Sequence, residues 1–333
     1  MSLAFVGVTA TSPDALERLG DAMERSTPSR RALVIVNPYA STVSDRLKHL
    51  VVYALQGRYE VDAVDTQARD HATELCREAA HEGYDLVVAF GGDGTVNEAI
   101  NGLVGSETAF TCLPGGRTNV FCRMLGIPND VVDATEHLLR VADVWAPRRI
   151  DLGMVNERAF AFSAGVGLDA RVVERVDAHP RLKVRLGEWY FTWAALSTFS
   201  RRYLLHPPQL AVSAGGVEHE GVLAVVQRSH PYTYFNTRPI EIAEGAELDN
   251  GLLAGVVLER ANPVDMPTIL VRAFARGARI VKHRQVASFL TPDEVVVRAQ
   301  DGAPVPVQVD GDYIGERAEA RFSVARHALT VVS

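Results

Sequence analysis

Between residues 32 and 125, short β-branched runs alternate with segments whose apolar residues return every three or four positions. A parallel sheet covered by helices has this pattern. Ala32–Val36 predicts the first strand. In residues 69–82, Ala72, Leu75, Cys76, Ala79 and Ala80 fall on one face of a helix that Gly83 can stop. Asp85–Phe90 predicts a buried strand, and Val96, Ala99, Ile100 and Leu103 a second helix. Ala109–Leu113 repeats the strand, with Pro114-Gly115-Gly116 as the turn and Arg117–Leu125 as a helix ending at Gly126.

After about Arg149 the pattern changes to strands: Ala159–Ser163, Gln209–Ser213, Val222–Val226, Leu252–Leu258 and Glu294–Val297. A second, mostly antiparallel β domain is expected. The exception is Arg181–Leu205, where Leu182, Leu186, Trp189, Trp193 and Leu196 form one apolar stripe. Residues 1–30 read as an extension joined through Ser26-Thr27-Pro28-Ser29, residues 31–148 as an α/β domain and 149–321 as the β domain. The apolar run Ala328–Val332 can bring about 322–333 back to the first domain.

Composition narrows the function classes. The 333 residues are 47% hydrophobic and 23% charged, which excludes disorder and fibres. The net charge of -7 argues against bulk nucleic-acid binding, which needs a basic surface. Cys76, Cys112 and Cys122 have no CxxC spacing, so neither a disulfide framework nor a thiolate zinc site is expected, and a reducing cytoplasm fits. No export signal and no run of about 18 apolar residues is present. A cytoplasmic protein is expected.

Gly91-Gly92-Asp93-Gly94-Thr95, set between a buried strand and a helix, carries the chemistry. Glycines there let the backbone approach a phosphate, and the helix start presents unpaired N–H groups to an anion. Thr95 adds a hydroxyl, and Asp93 a carboxylate able to hold magnesium against phosphates. There is no GxxxxGK[ST] loop and no GxGxxG with a following acid, so Walker A and dinucleotide sites are not supported. HExxH and GxSxG are absent too, which drops a zinc or serine hydrolase.

Val36-Asn37-Pro38, GGDGTVNEAINGL from Gly91, LPGGRTNVFCR from Leu113, IDLG from Ile150 and FSAGVGLDA from Phe162 form an ordered set. LDNGLLAGVVL from Leu248 and PVPVQVDGDYIGE from Pro304 continue it. The set resembles the diacylglycerol kinase family, most closely its soluble bacterial lipid kinases. GGDGT alone is shared with NAD kinases and phosphofructokinases. The resemblance implies an N-terminal α/β domain with a parallel sheet, a C-terminal antiparallel β-sandwich, and transfer of phosphate from Mg-ATP to a lipid alcohol such as diacylglycerol.

By that resemblance, Asn37 and Thr66 contact ATP from strand ends, and Gly91, Gly92, Asp93, Gly94, Thr95, Asn97 and Glu98 cradle the phosphates. Gly116, Arg117, Thr118 and Asn119 of the second glycine block add nucleotide contacts. Arg117 stands where the family has a small hydroxyl residue, and it can bind a phosphate or obstruct the site. Asp312 takes the place of the family's catalytic Glu as general base, one methylene shorter, with Asp93 beside it. The family's structural magnesium maps to Asn250, with Asp249 and the Leu252 segment nearby. There the amide brings no charge, and a plain Asn-Gly hairpin turn is the slightly preferred reading.

Trp189, Tyr190 and Trp193, flanked by Arg181, Lys183, Arg185, Arg201 and Arg202, suit a helix at a bilayer surface or lipid entrance, or equally a core helix. The leading expectation is a cytoplasmic, peripherally membrane-associated lipid kinase using ATP and Mg2+, with no nucleic-acid partner. A homodimer is compatible with the sequence and not specified by it. The alternatives are an NAD-kinase-like kinase of a soluble acceptor and a weakened lipid- or nucleotide-binding regulator.

Overall fold

The computed structural model describes residues 30–177, 209–235, 237–262, 264–274 and 279–333. Residues 1–29 and the aromatic segment with Trp189, Tyr190 and Trp193 lie outside the described residues.

The first part runs β1 (Arg30–Val36), α1 (Asp45–Leu55), β2 (Tyr59–Asp65), α2 (His71–His81), β3 (Leu86–Gly91), α3 (Asp93–Leu103), β4 (Ala109–Pro114), α4 (Val120–Met124) and α5 (Val131–Val144). Its strands are parallel in the order β2-β1-β3-β4, with Ala32 opposite Val61 on one side and Leu86 on the other. Every residue of β3 and β4 is buried, because helices cover both faces of the sheet. Side chains start two of those helices. Ser44 Oγ accepts the Leu47 N–H ahead of α1, and the Asp130 carboxylate accepts those of Val132 and Asp133 ahead of α5. Because the strands are parallel, the loops after β1, β2, β3 and β4 all open at one end of the sheet.

The second part runs β5 (Arg148–Val155), β6 (Arg158–Phe160), β7 (Ser163–Gly167), α6 (Leu168–Asp177), β8 (Leu210–Ala214), β9 (Val217–Gly221), β10 (Leu223–Gln227), β11 (Thr233–Phe235), β12 (Arg238–Ile240), β13 (Leu253–Leu258), α7 (Met266–Phe274), β14 (Val286–Thr291), β15 (Val295–Ala299), β16 (Val305–Val309), β17 (Asp312–Arg317) and β18 (Ala320–Val331). An antiparallel sheet, β14-β13-β10-β7-β16-β17, packs on β18-β15-β8-β9. Val166, Val226, Val297 and Val307 fill the space between them, with Phe160 edge-on to Phe322.

β18 joins the two parts. Its start pairs with β15, its length runs antiparallel to β5, and Val331 lies parallel beside Phe110 of β4.

Two expected elements come out differently. The strand expected over Ala159–Ser163 is divided into β6 and β7, because the amides of Ala161, Phe162 and Ser163 bind the Asp310 carboxylate instead of a neighbouring strand. The helix expected over Arg117–Leu125 begins only at Val120. Asn119 sits in the left-handed region at φ 49°, and its side chain closes a turn on the Gly116 N–H and carbonyl.

Candidate active site

In the GGDGT run, Gly91 ends β3, Gly92 makes the turn, and Asp93, Gly94 and Thr95 form the first turn of α3. Gly92 is extended and brings no side chain over the helix start, so the first-turn amides of α3 are not capped by one. The second glycine turn lies against the first, joined by Gly115 N–H to the Gly91 carbonyl at 2.8 Å. A Cβ on Gly115 would come within 2.7 Å of Gly91 Cα, and one on Gly116 within 2.9 Å of Gly92 Cα. Only hydrogen fits between these backbones.

Asn37 anchors the same corner from the end of β1. Its N–H donates to the Phe90 carbonyl at 2.9 Å, and its Nδ2 donates to Thr95 Oγ1 at 3.0 Å. Thr42 closes the loop by donating its N–H to the Gly115 carbonyl at 3.0 Å. Asn37, Gly91 to Thr95 and Gly116 thus form one cradle at the positive end of an eleven-residue helix.

The opposite wall comes from the β16–β17 turn. Asp310 (φ 48°) and Gly311 (φ 87°) reverse the chain, and Asp312 opens β17. Asp310 is buried and accepts N–H groups from Ala161 at 2.7 Å, Phe162 at 3.0 Å, Ser163 at 3.1 Å and Asn97 Nδ2 at 2.8 Å. With the turn so fixed, the half-buried Asp312 carboxylate lies over the glycine loop. A Cβ on Gly94 would be 2.6 Å from Asp312 Oδ2. Arg69, after β2, adds a second link by donating Nη2 to the Tyr313 carbonyl at 2.8 Å.

Asp93 turns inward. Its Oδ1 accepts the Phe121 N–H at 3.3 Å at the start of α4. Burial pushes its carboxyl up to about 6, with Asp310 and Asp312 adding to the rise and the Val120 and Phe121 amides opposing it. Burial also pushes Asp310 upward, while its four N–H donors pull the other way.

The remaining expected nucleotide contacts divide between the cleft and the scaffold. Thr66 follows the end of β2 with its N–H on the Val36 carbonyl, and Arg117 is exposed on the second glycine turn beside the half-buried Thr118. Asn119 shapes that turn internally. Asn97 and Glu98 point away from the cradle. Asn97 accepts from Arg158 and donates to Asp310 and the Ala159 carbonyl, while Glu98 Oε2 accepts the Ala72 N–H at 3.3 Å. Both residues hold elements together. Asp310 and Asn101 belong to this joint too, and the sequence marked neither with a role. The Asp-Gly-Asp run was visible, but not that its first carboxylate would bind three consecutive amides.

The residues assigned to a structural magnesium do not fit one. Asn250 Oδ1 already accepts N–H groups from Arg228, Glu247 and Leu252, each at 3.2 Å, and the Leu252 carbonyl accepts Arg228 Nη1 at 3.1 Å. Asp249 is exposed.

Comparison with known proteins finds a family match for each half of the chain. Residues 31–155 match the diacylglycerol kinase catalytic domain, and residues 162–333 match the YegS C-terminal NAD kinase beta sandwich-like domain. A diacylglycerol kinase of Bacillus subtilis (strain 168) is 28% identical over 313 residues, covering 91% of this chain and 96% of that protein. A diacylglycerol kinase of Staphylococcus aureus (strain JH9) is 25% identical over 308 residues, covering 90% and 91%. The crystal structure of a diacylglycerol kinase from Bacillus anthracis str. Sterne shares the fold at a TM-score of 0.64 and 18% identity, covering 92% of this chain and 98% of that one. Another crystal structure from that organism superposes at 0.71 with 22% identity and the same coverage. With both halves matched in order, the chain belongs to the diacylglycerol kinase family.

Proposed function

We propose that this kinase-family protein transfers the γ-phosphate of Mg-ATP to the hydroxyl of diacylglycerol or a related lipid alcohol, at a membrane surface. The observation that carries the reading is the Asp312 carboxylate lying over Gly94 of the glycine loop, a base beside a phosphate cradle. Amides at the start of α3 bind and orient the phosphates, and the bare Gly92 backbone admits their close approach. Magnesium carried in with the nucleotide neutralises phosphate charge, and the neighbouring Asp93 and Asp312 carboxylates favour a cation there. The acceptor hydroxyl gives its proton to Asp312 as its oxygen forms a bond to the γ-phosphorus, and the bond to the β–γ bridging oxygen breaks to release ADP.

The test is transfer of labelled γ-phosphate to diacylglycerol, monoacylglycerol, sphingosine, ceramide and undecaprenol in mixed micelles, with NAD as a soluble acceptor. Label in one lipid and not in NAD is the expected result. Label in NAD alone would make the protein a soluble-acceptor kinase. Nucleotide binding without label anywhere would make it a binding protein.

A further inference from the structure

Arg228, just past the end of β10, is fully buried, and so is Asp151 in β5. Arg228 Nη2 donates to Asp151 Oδ2 at 2.8 Å, while Nη1 donates to Asn250 Oδ1 at 3.2 Å and to the Leu252 carbonyl at 3.1 Å. A carboxylate, an amide oxygen and a main-chain carbonyl are the oxygen types that hold a hard divalent cation. Here all three converge on a guanidinium.

The surroundings fit this occupant. Asp151 Oδ1 accepts the His327 N–H at 2.9 Å, and its own N–H donates to the Leu248 carbonyl at 2.8 Å, so the carboxylate is fixed from β18 and from the 247–252 loop. A second guanidinium, that of Arg326, comes within 4.0 Å of Asp151 Oδ2 and covers Gly251. A dication placed among these oxygens would displace a buried arginine and face another. Both partners of the Arg228–Asp151 pair are desolvated, so removing Asp151 takes from the buried guanidinium the carboxylate it is bonded to.

We propose that Arg228 is a built-in cation: its guanidinium does the work of a divalent ion at the junction of β5, β10, β18 and the 247–252 loop, making the fold independent of metal. The proposal stands apart from the kinase reading, because its measurement involves neither nucleotide nor turnover.

Thermal melts of the nucleotide-free protein in excess MgCl2 and in EDTA test it. The wild-type Tm is expected to differ by less than about 1 °C between the two. The double variant Arg228→Ala/Asn250→Asp removes the guanidinium and adds a carboxylate beside Asp151. Its Tm is expected to rise by about 3 °C or more with Mg2+ or Ca2+, as for a ligand well above its Kd. A wild-type Tm that falls by about 3 °C or more in EDTA, with the fall abolished in Asn250→Ala, would overturn the proposal. A folded double variant indifferent to both ions would also overturn it. Should the double variant not fold, the wild-type and Asn250→Ala melts decide alone.

Discussion

At Gly94 the lack of a methyl group leaves room for the Asp312 carboxylate, which would lie 2.6 Å from a Cβ there. Gly94→Ala separates this contact from stability, since the nearest atoms to the new methyl belong to the end of the Asp312 side chain, which can move aside. Transfer should fall about 100-fold through displacement of the base, with Tm held within a few degrees. Unchanged turnover would place Asp312 elsewhere in the reacting complex. Asp93 gives a second prediction at this scale. Its carboxyl titrates near 6 in the fold against 3.8 ordinarily, so between those values the folded state binds more protons than the unfolded chain. Stability from this group is therefore lost as pH rises through the window, by about 3 kcal/mol at most, and regained on acidification. In chemical denaturation between pH 4 and 6, Asp93→Asn should remove that component of the slope. An identical slope in the variant would assign the titration to another group.

Among the elements, the Asp310 turn makes the most specific demand. Asp310→Ala would leave the amides of Ala161, Phe162 and Ser163 without their acceptor, at about 1–3 kcal/mol each. Denaturant melts should show a loss of about 4 kcal/mol, with strong non-additivity when combined with Asn97→Ala. A loss below about 1 kcal/mol would mean the amides find other partners. The same turn shows why part of the fold was unreadable in sequence. The break between β6 and β7 is imposed by a carboxylate 149 positions away, and no local pattern records it. Asn119, similarly, shortens α4 by a side-chain turn that helical periodicity over 117–125 hides. α2, in contrast, was legible because it depends on its own residues: Ala72, Cys76 and Ala79 are buried on one face, and Gly83 takes φ 73° at the end. The glycine loop was legible for the same reason. The Arg228–Asp151 pair, 77 residues apart with no motif around the arginine, left no trace.

At the scale of the whole molecule, several polar links among the described residues join the two walls of the cleft; those of Asn97 to Asp310 and of Arg69 to the Tyr313 carbonyl flank Asp312 and fix the base against the cradle. Among the described residues no helix is long and apolar enough to cross a membrane. On the proposed reading, a lipid substrate is met at a membrane surface. The chain's three tryptophans are Trp145, Trp189 and Trp193, and Trp145 packs under the Arg30 guanidinium. Anionic vesicles should shift tryptophan emission to the blue, and Trp189→Phe/Trp193→Phe should abolish the shift. A shift that survives in the double variant would move the contact to another surface. The most direct measurement is phosphate transfer to the lipid acceptor by Asp312→Asn, beside its affinity for Mg-ATP. Retained nucleotide affinity with transfer reduced by about 100-fold or more is the predicted result. Transfer at the wild-type rate would contradict the account, because the carboxylate over Gly94 would then not be the base.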